Sequence, residues 1–157
     1  MTLEQYREVI EVNQVGAFLG IQAVAPALIE SGGGAIVNVG STVGVRGMPG
    51  LAAYAAAKGG LIALSKTAAA EFAPRGIRVN VVNAGMIRTP ANERFEKLSP
   101  DLAKRLIASH ALGRMGEPEE VAEMVIWLLS KRASFVTGEC IAVDGGSQVK
   151  ATTFPVD

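Results

Sequence analysis

Ala35-Ile36-Val37-Asn38-Val39 is an uncharged, β-branched run that follows the turn Ser31-Gly32-Gly33-Gly34. That pattern predicts a short strand buried on both faces, as in a parallel sheet whose faces are covered by helices. A second run of the same kind, Ile77-Arg78-Val79-Asn80-Val81-Val82, begins after Pro74-Arg75-Gly76. Between them, Leu51 to about Ala73 is rich in Ala and has no interior Pro, which predicts a long helix. Strand, helix and strand in this order imply parallel strands joined by a helical crossover.

Upstream, Thr2-Leu3-Glu4-Gln5 has the form of a capping box. Tyr6, Ile10, Val15, Phe18, Ile21, Val24 and Leu28 then recur at helical spacing to about Glu30. Downstream, Gly40 to Gly50 reads as a Gly-rich loop and Asn83 to about Ser99 as irregular. Ser99-Pro100-Asp101 opens a short helix to about Ala111, and Pro118-Glu119-Glu120 opens another to about Lys131. Thr137-Gly138 precedes a last strand, Glu139 to Val143, closed by Asp144-Gly145-Gly146. The order α-β-α-β-α-α-β predicts one α/β domain without repeats or linkers.

Composition narrows the classes of function. Of 157 residues 49% are apolar and 19% charged, which suits a packed core. Fifteen basic residues balance fifteen acidic ones, so no nucleic-acid footprint is expected. The apolar stretches are interrupted short of the ~20 residues of a membrane span, and no secretory signal opens the chain. Lone Cys140 excludes an internal disulfide and a Cys-rich metal cage, so no metal is expected. A soluble, reducing compartment such as the cytoplasm fits best.

The chemistry lies on the long helix. Tyr54 and Lys58 are four residues apart and share a face, placing an ammonium beside a phenol. A free phenol has a pKa near ~10, and a neighbouring cation favours its ionised form. Ser41, at the end of the first strand, can bring a hydroxyl close to that phenol. The three suit proton transfer to or from an alcohol or carbonyl. His110, on a short helix, and Cys140, in an apolar strand, read as structural residues. Gly40-Ser41-Thr42-Val43-Gly44-Val45-Arg46-Gly47 looks superficially like a phosphate loop, but its glycine spacing is wrong for one.

Several motifs stand in a telling order: Asn13-Gln14-Val15-Gly16, Ile36-Val37-Asn38-Val39-Gly40-Ser41, Tyr54-Ala55-Ala56-Ala57-Lys58-Gly59-Gly60 and Gly76-Ile77-Arg78-Val79-Asn80. Gly113-Arg114-Met115-Gly116-Glu117-Pro118-Glu119-Glu120-Val121 and Val143-Asp144-Gly145-Gly146 complete the set. Together they resemble the short-chain dehydrogenase/reductase family in its single-domain form, from about Met1 to Gly146. The resemblance implies an NAD(P)-dependent alcohol dehydrogenase or ketoreductase with Tyr54 as general acid/base. Lys58 would tune the phenol and hold the nicotinamide ribose, and Ser41 would hydrogen-bond the substrate oxygen. Asn13 would kink its helix and help hold a proton-relaying water. Ala84, Gly85, Met86, Ile87 and Thr89 match the loop that cups the nicotinamide carboxamide. The family usually has Pro where Ala84 stands, which should cost loop rigidity. Thr89 before Pro90 also has a plainer reading as turn chemistry.

The resemblance further implies a partial doubly wound, Rossmann-like parallel sheet lacking the N-terminal dinucleotide-binding strands, since no Gly-xxx-Gly-x-Gly turn precedes Asn13. Residues 1–157 are then a single incomplete domain, with 87–112 as substrate lid and 147–157 as irregular tail. Phe95, Leu98, Leu102, Leu106 and Ile107 of the lid imply a hydrophobic alcohol or ketone. The strand at Ala35–Val39 should lie on an unpaired apolar edge. On this reading the chain is N-terminally truncated or misassigned and impaired alone. NAD and NADP are both open, because the selecting segment is not in the sequence. A homo-oligomer, tetramer or dimer, is expected of the complete form. The alternative is a non-catalytic fragment that keeps only assembly surfaces.

Overall fold

The computed structural model describes residues 1–149. Thr2 caps α1 (Leu3–Ile10): its Oγ1 accepts from the Gln5 N–H at 3.2 Å, and Gln5 Oε1 accepts from the Thr2 N–H at 2.9 Å. The helix widens into a π turn, Glu11–Val15, and continues as α2 (Gly16–Glu30). Asn13 sits in that wide turn and donates from Nδ2 to the Val9 carbonyl at 3.1 Å. The whole run Leu3–Glu30 is 28 residues long and, by length and composition, apolar enough to cross a bilayer. Asn13, Gln14 and Gln22 interrupt its apolar residues, as expected, without breaking the helix.

Three parallel strands follow in the order β1 (Gly34–Ser41), β2 (Ile77–Ala84), β3 (Cys140–Val143). The register sets Ser41 opposite Ala84 and Ala84 opposite Val143, so the C-terminal ends lie level. β2 is central and almost entirely buried. β1 has a neighbour on one side only among the described residues, and its residues Ala35–Asn38 are half-buried with Val39 49% exposed. The expected edge position holds, whereas burial of Ala35–Val39 on both faces does not.

The connections contain two helices that the letters did not predict. A single turn, α3 (Val43–Arg46), lies within the expected loop Gly40–Gly50. The segment 83–99, expected to be irregular, holds the end of β2 and then α5 (Pro90–Leu98). Thr89 caps α5, its Oγ1 accepting from the Asn92 N–H at 3.3 Å, with Pro90 in the first turn. The long helix α4 spans Ala52–Phe72 and closes through a 3-10 turn at Ala73–Arg75 and Gly76, whose φ of 73° is left-handed. α6 (Pro100–Ala108) and α7 (Pro118–Leu129) complete the chain of helices. Residues 147–149 form turns, and the rest of the expected tail, 150–157, lies outside the described residues.

Alternation along β2 divides the core between two faces. Ile77 and Val79 pack with Ile21, Ala68 and Ala69 from α2 and α4. Val82 packs with Leu128 and Ala133 on the α7 side. Arg78 anchors that side: its Nη1 donates to the Leu128 carbonyl at 2.8 Å and its Nη2 to the Ser130 carbonyl at 3.1 Å. The Leu128 carbonyl lies at the end of α7, and the Ser130 carbonyl also accepts from the Ala133 N–H of the following 3-10 turn.

Candidate active site

In open parallel sheets, ligands bind beyond the carboxyl ends of the strands, and the candidate residues gather there. Ser41 is the last residue of β1 and is buried; its Oγ accepts from the Val43 N–H at 3.2 Å, starting α3. The hydroxyl hydrogen remains to be donated. α3 then lies directly on α4. A Cβ at Gly44 would come within 2.7 Å of the Lys58 carbonyl carbon and 2.8 Å of the Gly59 nitrogen, so only glycine permits this approach.

Tyr54 stands on the first turn of α4 and Lys58 one turn on. Lys58 Nζ is 5.7 Å from the centre of the Tyr54 ring, within cation–π range. The same nitrogen donates to the Val39 carbonyl at 3.0 Å, tying α4 to the edge strand. Partial burial lowers the Lys58 pKa from the ordinary lysine value.

The loop after β2 forms the next wall. The Gly85 N–H donates to the Val143 carbonyl at 3.0 Å, and Met86 and Arg88 exchange backbone hydrogen bonds with Gly116. A Cβ on Gly85 would fall 2.8 Å from Asp144 Cα and 2.9 Å from His110 Nε2. Ala84 is held extended by pairing with both neighbouring strands. Asp144 shapes the turn beyond. Burial pushes its carboxyl up, but donors from Ser147, Gly146 and Gln148 outweigh that and hold it below the usual carboxylate range.

Two clefts meet here. One, of about 340 Å³, is lined by Ser41, Tyr54, Lys58, Ala84, Gly85, Ile87 and Thr89. The other, of about 450 Å³, is lined by Ser41, Tyr54, Gly85 and Met86 together with Met48, Leu51, Phe95, Leu106 and His110. Ser41, Tyr54 and Gly85 border both. Asn13 borders neither and stays in its π turn. Of the apolar residues expected in segment 87–112 to line a substrate site, Phe95 and Leu106 line the second cleft, while Leu98 and Leu102, 74% and 48% exposed, face solvent. Nine-residue helices turn only one face inward, and the letters did not show which. Sequence reasoning also missed Met48, Leu51 and His110 as cleft residues. No local signal marks them, because α3 and the end of α6 bring them in from elsewhere in the chain.

The family described as enoyl-(acyl carrier protein) reductase matches residues 1–148. The chain is 43% identical over 145 residues to cyclohexanol dehydrogenase of Acinetobacter sp. (strain SE19), covering 92% of this chain and 55% of that protein. It is 45% identical over 146 residues to 3-oxoacyl-(acyl-carrier-protein) reductase FabG of Thermotoga maritima, covering 93% and 58%. It is 43% identical over 147 residues to inactive 2-(S)-hydroxypropyl-CoM dehydrogenase 2 of Xanthobacter autotrophicus, covering 92% and 64%. A crystal structure described as ribose-5-phosphate isomerase from Brucella melitensis 16M superposes with a TM-score of 0.89 at 36% identity, covering 95% of this chain and 57% of that one. The chain thus spans 55–64% of the length of these curated relatives. Matched over nearly all of its residues, it belongs to the short-chain dehydrogenase/reductase family.

Proposed function

We propose that this chain carries the proton-transfer side of a nicotinamide-dependent oxidoreductase that interconverts an alcohol and a ketone. The observation that supports it is the meeting of two clefts at Ser41 and Tyr54, with Lys58 in one and an apolar wall in the other. Tyr54 is the general acid/base, exchanging its phenolic proton with the substrate oxygen. Ser41 donates its hydroxyl hydrogen to that oxygen while charge develops on it. Lys58 keeps a cation beside the phenol and has further N–H donors for ribose hydroxyls. Asn13, one helix away, is the candidate holder of a relay water. Thr89 is assigned to the rim, where its hydroxyl can donate while its oxygen caps α5.

The cofactor side can be tested against the residues present. The Lys58 donors and the close-packed backbone of Ala84 to Ile87 fit the nicotinamide and its ribose, and Gly85 keeps that wall free of a side chain. NAD or NADP, when bound, supplies or removes the hydride. Partners for its pyrophosphate and adenosine are not among the described residues. The second cleft, walled by Met48, Leu51, Phe95 and Leu106, suits an apolar substrate such as a cyclic ketone. A soluble cytoplasmic protein assembling as a dimer or tetramer, with the Leu3–Glu30 helix as an assembly face, completes the proposal.

The test is titration of the 157-residue protein with NADH and NADPH, followed by turnover of cyclohexanol and cyclohexanone. Tyr54→Phe is expected to lower the rate by about 10²–10⁴-fold while leaving nucleotide affinity within a few-fold. Turnover that Tyr54→Phe leaves unchanged overturns the reading.

A second reading, a non-catalytic chain serving assembly, draws on the exposed apolar residues Val12, Phe18, Leu19 and Val24 along the first helix and Ile126 and Phe135 near α7. Stable complexes of native size without nucleotide binding favour it.

A further inference from the structure

His110 is the one histidine of the chain and lies just beyond α6, 5% exposed. Its Nε2 is 3.0 Å from the Met86 backbone nitrogen, and its Nδ1 is 2.9 Å from the Leu106 carbonyl oxygen. An amide N–H can only donate and a carbonyl can only accept, so both bonds form in one state alone: a neutral ring carrying its proton on Nδ1. The ring also stands between two cavities, the second cleft and a further one of about 240 Å³ behind the Met86–Ile87 loop. A side chain merely filling space would not need both nitrogens committed in opposite senses.

We infer that His110 is a positioning residue that ties the C-terminal end of lid helix α6 to the Met86 amide, so that the lid and the loop beside Tyr54 move together. What the loop holds rests on the oxidoreductase reading above; the tether itself does not. Leu106 contributes to this coupling twice, lining the second cleft with its side chain and accepting from the imidazole with its carbonyl. Protonation would break the coupling on one side only. An imidazolium donates from both nitrogens, so the Leu106 bond survives while Met86 loses its acceptor.

The charged and titratable groups around the ring, among the described residues, come from three places. Asp144 lies beyond Gly85 and accepts from Ser147, Gly146 and Gln148. Arg114 and Glu120 line the far wall of the rear cavity and pair with each other. Arg46 and Tyr54 line the second cleft, with Arg46 donating to the Ser147 carbonyl at 2.8 Å.

A single histidine makes the test unambiguous. In ¹⁵N-labelled protein the ring nitrogens are expected to report the Nδ1–H tautomer, the reverse of the form free histidine prefers in water. His110→Phe fills the space without an acceptor and should speed Met86 exchange roughly tenfold or more. His110→Gln, whose amide oxygen can reach the Nε2 position, should restore most of the protection. An Nε2–H tautomer, or Met86 exchange unchanged in a folded His110→Phe protein, overturns the tether. If His110→Phe does not fold, the wild-type tautomer decides the matter alone. NADH failing to bind wild-type protein that shows the Nδ1–H tautomer would count against the oxidoreductase reading and leave the tether supported.

Discussion

β1 and β2 are alike in almost everything that local sequence controls. Each is eight residues long, each is rich in β-branched residues, and they pair in parallel along their whole length. They differ in what surrounds them. β2 has a strand on either side and helices on both faces, so Ile77, Val79, Val81 and Val82 are sealed from solvent. β1 has one strand neighbour among the described residues, and only its last two residues, Gly40 and Ser41, are buried. The structural strand is therefore buried along its length. The chemical strand is buried only at the tip that bears the candidate hydroxyl.

Substitutions should divide accordingly. Ile77→Ala, emptying a fully buried site between β2 and the α2–α4 layer, is expected to destabilise by about 2–5 kcal/mol in urea unfolding. Asn80→Ala comes next. Asn80 is fully buried, donates to the Val136 carbonyl at 2.9 Å and accepts from the Glu139 N–H at 3.0 Å, so its loss should cost about 1–3 kcal/mol. Val39→Thr, on the exposed stretch of β1, should stay within about 0.5 kcal/mol of wild type. A Val39 effect as large as that of Ile77 would show that β1 is covered in solution, and would break the contrast.

The smallest expected effect concerns pH. The Arg114 guanidinium grips Glu120 with two hydrogen bonds, and the Glu117 N–H adds a third, lowering the Glu120 carboxyl to about 2. The folded value lies below the ordinary 4.5, so this carboxylate favours folding above about pH 4.5 and loses that contribution as pH falls toward 2. Glu120→Gln should flatten the acid limb of a stability-against-pH curve between those values and lower stability at pH 7 by the same amount, which is small because the pair is exposed.

The same contrast shows what the letters could and could not convey. The Tyr54–Lys58 pair was legible because helical spacing is local, and so was β2, whose apolar run needs no knowledge of neighbours. The exposure of Val39 was not, since a β-branched run reads the same whether one strand or two lie beside it. Thr89-Pro90 looked like a turn although Thr before Pro is also a helix start, and α5 follows it. The inward set of α5 and α6, Phe95 and Leu106 without Leu98, depends on where two short helices lean. His110 was read as structural. Its bond to Met86 spans 24 residues of chain, which no local pattern could reveal.

Gly44 carries a consequence of its own. Because α3 rests against the main chain of α4 at Gly44, the segment that follows the serine is seated on the helix that bears the phenol by backbone atoms that every sequence shares. Side chains lining the two hollows can therefore be exchanged for new tastes in substrate while that seat stays put. A methyl group at this one position would act as a wedge, prising the partners apart without altering either.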